Sequence, residues 1–117
     1  MQELIMRIRS IGGIAVLAVG PNAVGDTVLP GDNLASRCVG SRGVAFDLAG
    51  YDDVIDSELI GCLIRARQAA LSSGLHFRLC CPNELLRHVM SVTALDRMMS
   101  VFASLAETLA DFDLPPG

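Results

Sequence analysis

The sequence predicts an α/β fold in which helices pack on a mixed β-sheet. Two observations lead there. Short apolar runs at 14–19, 44–48 and 75–81 are bounded by Gly, Pro or Ser and read as strands, and between them lie segments whose apolar residues recur at helical spacing. The resulting order, β-β-α-β-α-β-α-β-α, places helices between strands and so requires parallel as well as antiparallel pairing.

Leu4, Met6 and Ile8 alternate with Ile5, Arg7 and Arg9, which predicts a first strand with one partly exposed face and a turn over 10–13. A second strand covers 14–19. The stretch 20–43 is rich in Gly and Pro, and its one expected element is a short helix from Asp32 or Asn33 to about Gly40. The next strand, 44–48, is apolar except for Asp47, as expected where both faces are covered. Asp56 or Ser57 then caps a helix with Leu59, Ile60, Leu63 and Ile64 at helical spacing, with Arg65, Arg67 and Gln68 set outward, and Ser72, Ser73 and Gly74 end it. In 75–81, Leu75, Phe77, Leu79 and Cys81 share one strand face, and His76 and Arg78 the other. Pro82 and Asn83 open a helix over about 84–92, 98–102 suits a short edge strand, and Ser104 with Glu107 forms an S-x-x-E capping box for the last helix.

At 117 residues and 12.4 kDa the chain is expected to form a single domain over 1–117. With 51% hydrophobic and 19% charged residues, it carries enough apolar surface for a core. All nine basic residues are arginine, so Schiff-base chemistry and a phosphate-loop lysine are excluded, and the 20–25 GxxxxG spacing, followed by Asp26, reads as a turn. The net charge of −4, one tyrosine and no tryptophan argue against a nucleic-acid surface. The acidic excess lies beyond residue 51. The apolar run 11–19 falls well short of the ~20 residues of a membrane span, and Glu3 stands where a signal peptide would be basic, so a cytoplasmic protein away from the membrane is expected. Cys38, Cys62, Cys80 and Cys81 contain no CxxC pair and are read as buried thiols, with no metal or other cofactor expected. His76 is read as an outward strand residue and His88 as lying on the third helix near Arg87, both in structural or solvated roles, and Met90, Met98 and Met99 as packing residues.

The chemistry concentrates in FDLAGYDDVIDSELIG, where Asp47, Asp52, Asp53, Asp56 and Glu58 surround Ser57 at a strand-to-helix turn. Four readings follow from these residues. Asp56 and Ser57 can simply cap the helix, with the other acids on a solvated loop near its positive end. The carboxylates can hold a hard divalent cation, although no D-x-D-x-D-G loop is present. Ser57 can be a nucleophile, although the GxSxG elbow is absent. Finally, Ser57 can be a regulatory phosphorylation site, since backbone N–H groups at a helix start accept phosphate oxygens without refolding.

The same segment, followed by GLHFRLCCPNELLRHVMSVTALDRMMSVFASLAETL, resembles the STAS domain, the family of bacterial anti-sigma factor antagonists. The likeness spans about 43–112 and rests on the strand ending in D-L-x-G, the D-S-x-x-x-G turn into a helix, the G-x-x-x-x-L strand and the helix leading to L-D-R. The family's usual run D-S-S-G-L-G is here Asp56, Ser57, Glu58, Leu59, Ile60, Gly61, and Ala94 stands where the family often has glycine.

The resemblance implies a sheet of four to five strands with about four helices mainly on one face. It implies a regulatory binding protein with no catalytic residues, and a partner that is both anti-sigma factor and serine kinase. Ser57 is the implied phosphorylation site, and Asp52, Asp53, Asp56, Ser57, Glu58 and Gly61 the implied partner surface. A protein phosphatase or other STAS proteins are the further partners implied. The alternative is a constitutive STAS scaffold or sensory module in which Ser57 is only part of a helix start.

Overall fold

The computed structural model describes residues 4–29, 31–51 and 53–113. Strands β1 (Met6–Ile11) and β2 (Ile14–Val19) form a hairpin through Gly12 and Gly13, whose φ values of 57° and 82° suit the two-residue turn that matches strand twist. The turn is tighter than the 10–13 expected, so the first strand runs on to Ile11.

The chain then crosses to the outer edge of β1 as β3 (Asp26–Val28) and returns through α1 (Leu34–Arg37). From there β4 (Gly43–Asp47), α2 (Ser57–Ser72), β5 (Phe77–Cys80), α3 (Glu84–Val92), a 3₁₀ turn at Leu95–Arg97, β6 (Ser100–Phe102) and α4 (Leu105–Asp111) complete the order. The sheet reads β3-β1-β2-β4-β5-β6, antiparallel in its first three strands and parallel from β2 to β6. The sixth strand, one more than expected, is β3. It is three residues long with Asp26 and Thr27 exposed, too short to show an alternating pattern. α1 likewise is shorter than expected: Asn33 caps it and it stops at Arg37.

Alternation sorts the sheet residues into two layers. Met6, Ile8, Leu17, Val19, Val44, Phe46, Phe77, Leu79 and Cys81 meet α1, α2 and α3 in the main core, while Ile14, Val16 and Ala45 face Leu105, Leu109 and Phe112 of α4 on the other side. Three helices thus share one face and the fourth covers part of the opposite one. α2 lies close to the sheet because its buried stripe is largely small: Cys62, Ala66, Ala69 and Ala70 beside Leu59 and Leu63. Ile60 is only half-buried and Ile64 is exposed, so the apolar stripe is narrower than the sequence spacing implied. Met90 and Met99 are core residues, whereas Met98 is exposed. All four cysteines are buried free thiols, with Cys80 and Cys81 on opposite faces of the sheet. Only half of the capping box forms: the Ser104 hydroxyl accepts from the Glu107 N–H at 3.1 Å, and the exposed Glu107 carboxylate makes no return bond. No helix among the described residues is long and apolar enough to cross a membrane.

Candidate functional site

The site is built on the turn between β4 and α2. Asp56 is the cap: in extended backbone, its Oδ1 accepts the Leu59 N–H at 2.9 Å. Ser57 is therefore the first helical residue. It is exposed, and among the described residues its hydroxyl and its own N–H make no hydrogen bond. The Glu58 N–H is likewise without a partner, so two backbone donors and a positive helix end stand beside the hydroxyl.

The turn is held from three sides. Tyr51 is buried and its hydroxyl donates to the Val54 carbonyl at 2.5 Å, tying both ends of the loop. Asp53 Oδ1 accepts the Val54 N–H at 2.8 Å. Glu58 Oε1 accepts the Leu4 N–H at 3.1 Å and so fastens the entry to β1 against the first turn of α2. Burial pushes the Tyr51 phenol up, and the negative charges of Asp56, Asp53 and Glu58 push it further because they disfavour the phenolate.

The outer surface joins these acids to apolar area. Val54 is 66% exposed, and Ile5, adjacent in sequence to Leu4, is also exposed. Gly61 lies one turn along α2, half-buried, and a Cβ there would meet no atom within 4 Å, so its bare Cα leaves a shallow place on the surface.

Of the residues singled out from the sequence, Asp53, Asp56, Ser57, Glu58 and Gly61 come together here. Asp52 lies outside the described residues. Asp47 does not belong to the group: it is buried on the α4 side of the sheet, where its Oδ1 accepts the Ala49 N–H at 2.9 Å and its Oδ2 stands 3.8 Å from Arg9. Strand parity decides this, because Asp47 follows the inward Phe46 and must point to the other face. The Tyr51 clamp and the Glu58 contact to Leu4 were not read from the sequence. The single tyrosine was the only available signal for the first, and the second spans 54 positions. Among the described residues, no three His, Cys, Asp or Glu side chains stand together as a metal site would need.

The comparisons with known proteins agree with this architecture. A candidate anti-sigma factor antagonist of Thermotoga maritima is 33% identical over 57 residues, 49% of this chain and 50% of that protein, and a homologue from Thermotoga neapolitana matches to the same extent. The chain thus spans about half the length of the curated relatives it matches. The crystal structure of the Thermotoga maritima protein TM1081, a candidate anti-sigma factor antagonist, superposes with a TM-score of 0.64 at 21% identity, covering 93% of this chain and 95% of that one. A chain from the stressosome, described as a signal integration and transduction hub, gives 0.65 at 20% identity over 91% and 95%. At these identities the structural matches speak for the fold alone. The family model of the STAS domain matches residues 3–108, nearly the whole chain, and this protein belongs to the STAS domain family.

Proposed function

We propose that this protein is an anti-sigma factor antagonist-like regulator, a non-catalytic cytoplasmic STAS unit over 1–117. It docks the turn around Ser57 on an anti-sigma factor that is also a serine kinase. The observation that carries the reading is the Ser57 hydroxyl: exposed, without a hydrogen bond to any described residue, and at the first position of a capped 16-residue helix. Such a hydroxyl is open to a kinase, and the phosphate it would receive has the Ser57 and Glu58 N–H groups within reach.

The same geometry supports a switch. A phosphate adds about −1.5 to −2 charges beside Asp53, Asp56 and Glu58, and strong hydration then opposes coverage by an acidic or apolar partner surface. Every ~1.4 kcal/mol lost at the interface is a tenfold drop in affinity, so one modification suffices to exchange partners. A phosphatase would restore docking. Support comes from the acidic and apolar character of the surface formed by Asp53, Val54, Asp56, Glu58 and Gly61, and from the relatives' description as antagonists.

The test is affinity capture from native-host lysate with wild type, Ser57→Ala and Ser57→Asp, read by mass spectrometry. Retention of a small ATP-binding kinase by wild type and Ser57→Ala, but not by Ser57→Asp, is the expected result. If Ser57→Asp retains the same kinase as fully as wild type, the switch is refuted. If all three retain the same STAS proteins and no kinase, the protein is a constitutive scaffold, an arrangement in keeping with the stressosome chain that shares its fold.

A further inference from the structure

A second site lies on the opposite face of the sheet, at the carboxyl ends of β2 and β4, the end of a parallel sheet at which open α/β folds take up ligands. There a cleft of about 240 Å³ opens beyond the area covered by α4, lined by Arg9, Ala18, Asn22, Val24, Asp47 and Gly50. Its two charged residues face each other as a loose ion pair, 3.8 Å apart. The Arg9 guanidinium makes no hydrogen bond to any described residue, and its Nε is shut off from water without a partner. Asp47 is only 7% exposed; the Ala49 N–H occupies one of its oxygens, and the other stands 3.8 Å from Arg9, beyond hydrogen-bonding distance. Behind Asp47 the Cys80 thiol stands within reach of both the Asp47 carboxylate and Thr108, so Asp47 is held from the protein side and has its Arg9 side left for the cleft. The Arg9 side chain is 33% exposed and makes no closer polar contact to a described residue than the one to Asp47, so its outer nitrogens are open to a ligand in the cleft.

The charge pattern selects the ligand. A simple anion would gain Arg9 and be repelled by Asp47, and a simple cation the reverse. A molecule carrying both a carboxylate and an ammonium group satisfies both. The two charged groups of an α-amino acid are joined through a single carbon and lie about 3 Å apart by covalent geometry, close to the spacing of the Arg9 and Asp47 atoms. The cleft is smaller than the roughly 300–1,000 Å³ of sites for drug-sized molecules, and Ala18 and Val24 supply apolar wall for a short aliphatic side chain.

We propose that this cleft binds a small zwitterion of the α-amino acid class, its carboxylate on the outer nitrogens of Arg9 and its ammonium on Asp47 Oδ2. The site touches the loop that leads to α2. Gly20 and Gly50 pass so close that a Cβ on Gly20 would come within 2.4 Å of the Gly50 carbonyl oxygen, so an occupant wedged between 20–24 and 47–50 bears on the start of the β4–α2 turn. The binding reading itself stands independently of any role for Ser57.

Titration of the ¹⁵N-labelled full chain with each common amino acid, followed by NMR, tests the site, with acetate and methylamine as single-charge probes. At least one small aliphatic amino acid is expected to give saturable shifts confined to 18–24 and 47–50, with a Kd on the order of 0.1–1 mM. Arg9→Gln and Asp47→Asn should each weaken binding at least about tenfold, a loss of ~1.4 kcal/mol. Asp47→Asn keeps an acceptor for the Ala49 N–H, and circular dichroism of each variant checks that it is folded. No saturable shift from any amino acid, equal binding of acetate, or unchanged affinity in either folded variant would overturn the proposal.

Discussion

Replacing Ala94 with glycine should stabilise this protein, and the backbone gives the magnitude. Ala94 follows the last turn of α3 at φ 63° and ψ 16°, the left-handed region, and it is the only non-glycine residue at positive φ among the described residues. Holding an L-residue there costs about 1–2 kcal/mol, because Cβ crowds the following carbonyl oxygen. Glycine removes that cost but adds about 0.4–1 kcal/mol of unfolded-chain entropy, leaving a net gain centred on about 0.8 kcal/mol.

α2 provides the reverse experiment in the same molecule. It ends on Gly74 at φ 69°, with Leu75 N–H bonded to the Ala70 carbonyl at 2.8 Å and Gly74 N–H to the Leu71 carbonyl at 3.1 Å, the paired bonds of a Schellman cap. A Cβ on Gly74 would meet no atom within 4 Å, so Gly74→Ala isolates the backbone cost and should destabilise by about 1 kcal/mol. Urea unfolding followed by far-ultraviolet circular dichroism measures both variants. For a domain of this size the Ala94→Gly gain corresponds to a Tm rise of roughly 2–4 °C. A fall in stability for Ala94→Gly at unchanged urea dependence, or no change for Gly74→Ala, would refute the argument.

Two further outcomes are expected. Asp56→Ala removes both the bond to the Leu59 N–H and a negative charge at the start of α2, and should cost about 1–2 kcal/mol in urea unfolding; Asp56→Asn, which keeps a capping oxygen, should lose less than half of that, and equal losses would mean that the cap contributes nothing. Burial, reinforced by the charge of Asp47, pushes the Cys80 thiol up to about 12 from an ordinary 9.0, and burial also raises Cys38, Cys62 and Cys81. The unfolded thiols ionise at a lower pH than the folded ones, so stability is fully present below about pH 9 and declines as pH rises from there toward 12; a urea midpoint at about pH 10 no lower than that at about pH 8 would contradict this.

Much of the fold is local enough to read without coordinates. A turn within 10–13, the apolar strands near 14–19 and 44–48, and polar caps at 32–33, 56–57, 83 and 104 each express a preference carried within a few residues, and the structure places the turn at Gly12 and Gly13 and the caps at Asn33, Asp56, Asn83 and Ser104. The Asp-Ser step at 56–57 was legible for the same reason, since capping needs only the side chain and the amide three positions on.

What the sequence could not decide depends on distant partners. β3 exists because the outer edge of β1 offers it a ladder, which a three-residue segment cannot announce. α4 takes the second face of the sheet because Ile14, Val16 and Ala45 leave apolar area there, and its own pattern would be the same on either side. Asp47 was grouped with the acids around Ser57 by its nearness along the chain, yet the pleat turns it away toward Arg9, 38 positions earlier, and into a different cleft. Residue types set helices, strands and caps through short-range sterics and hydrogen bonds. Which face a charge occupies, and which other charge it meets there, is settled only when the strands pair.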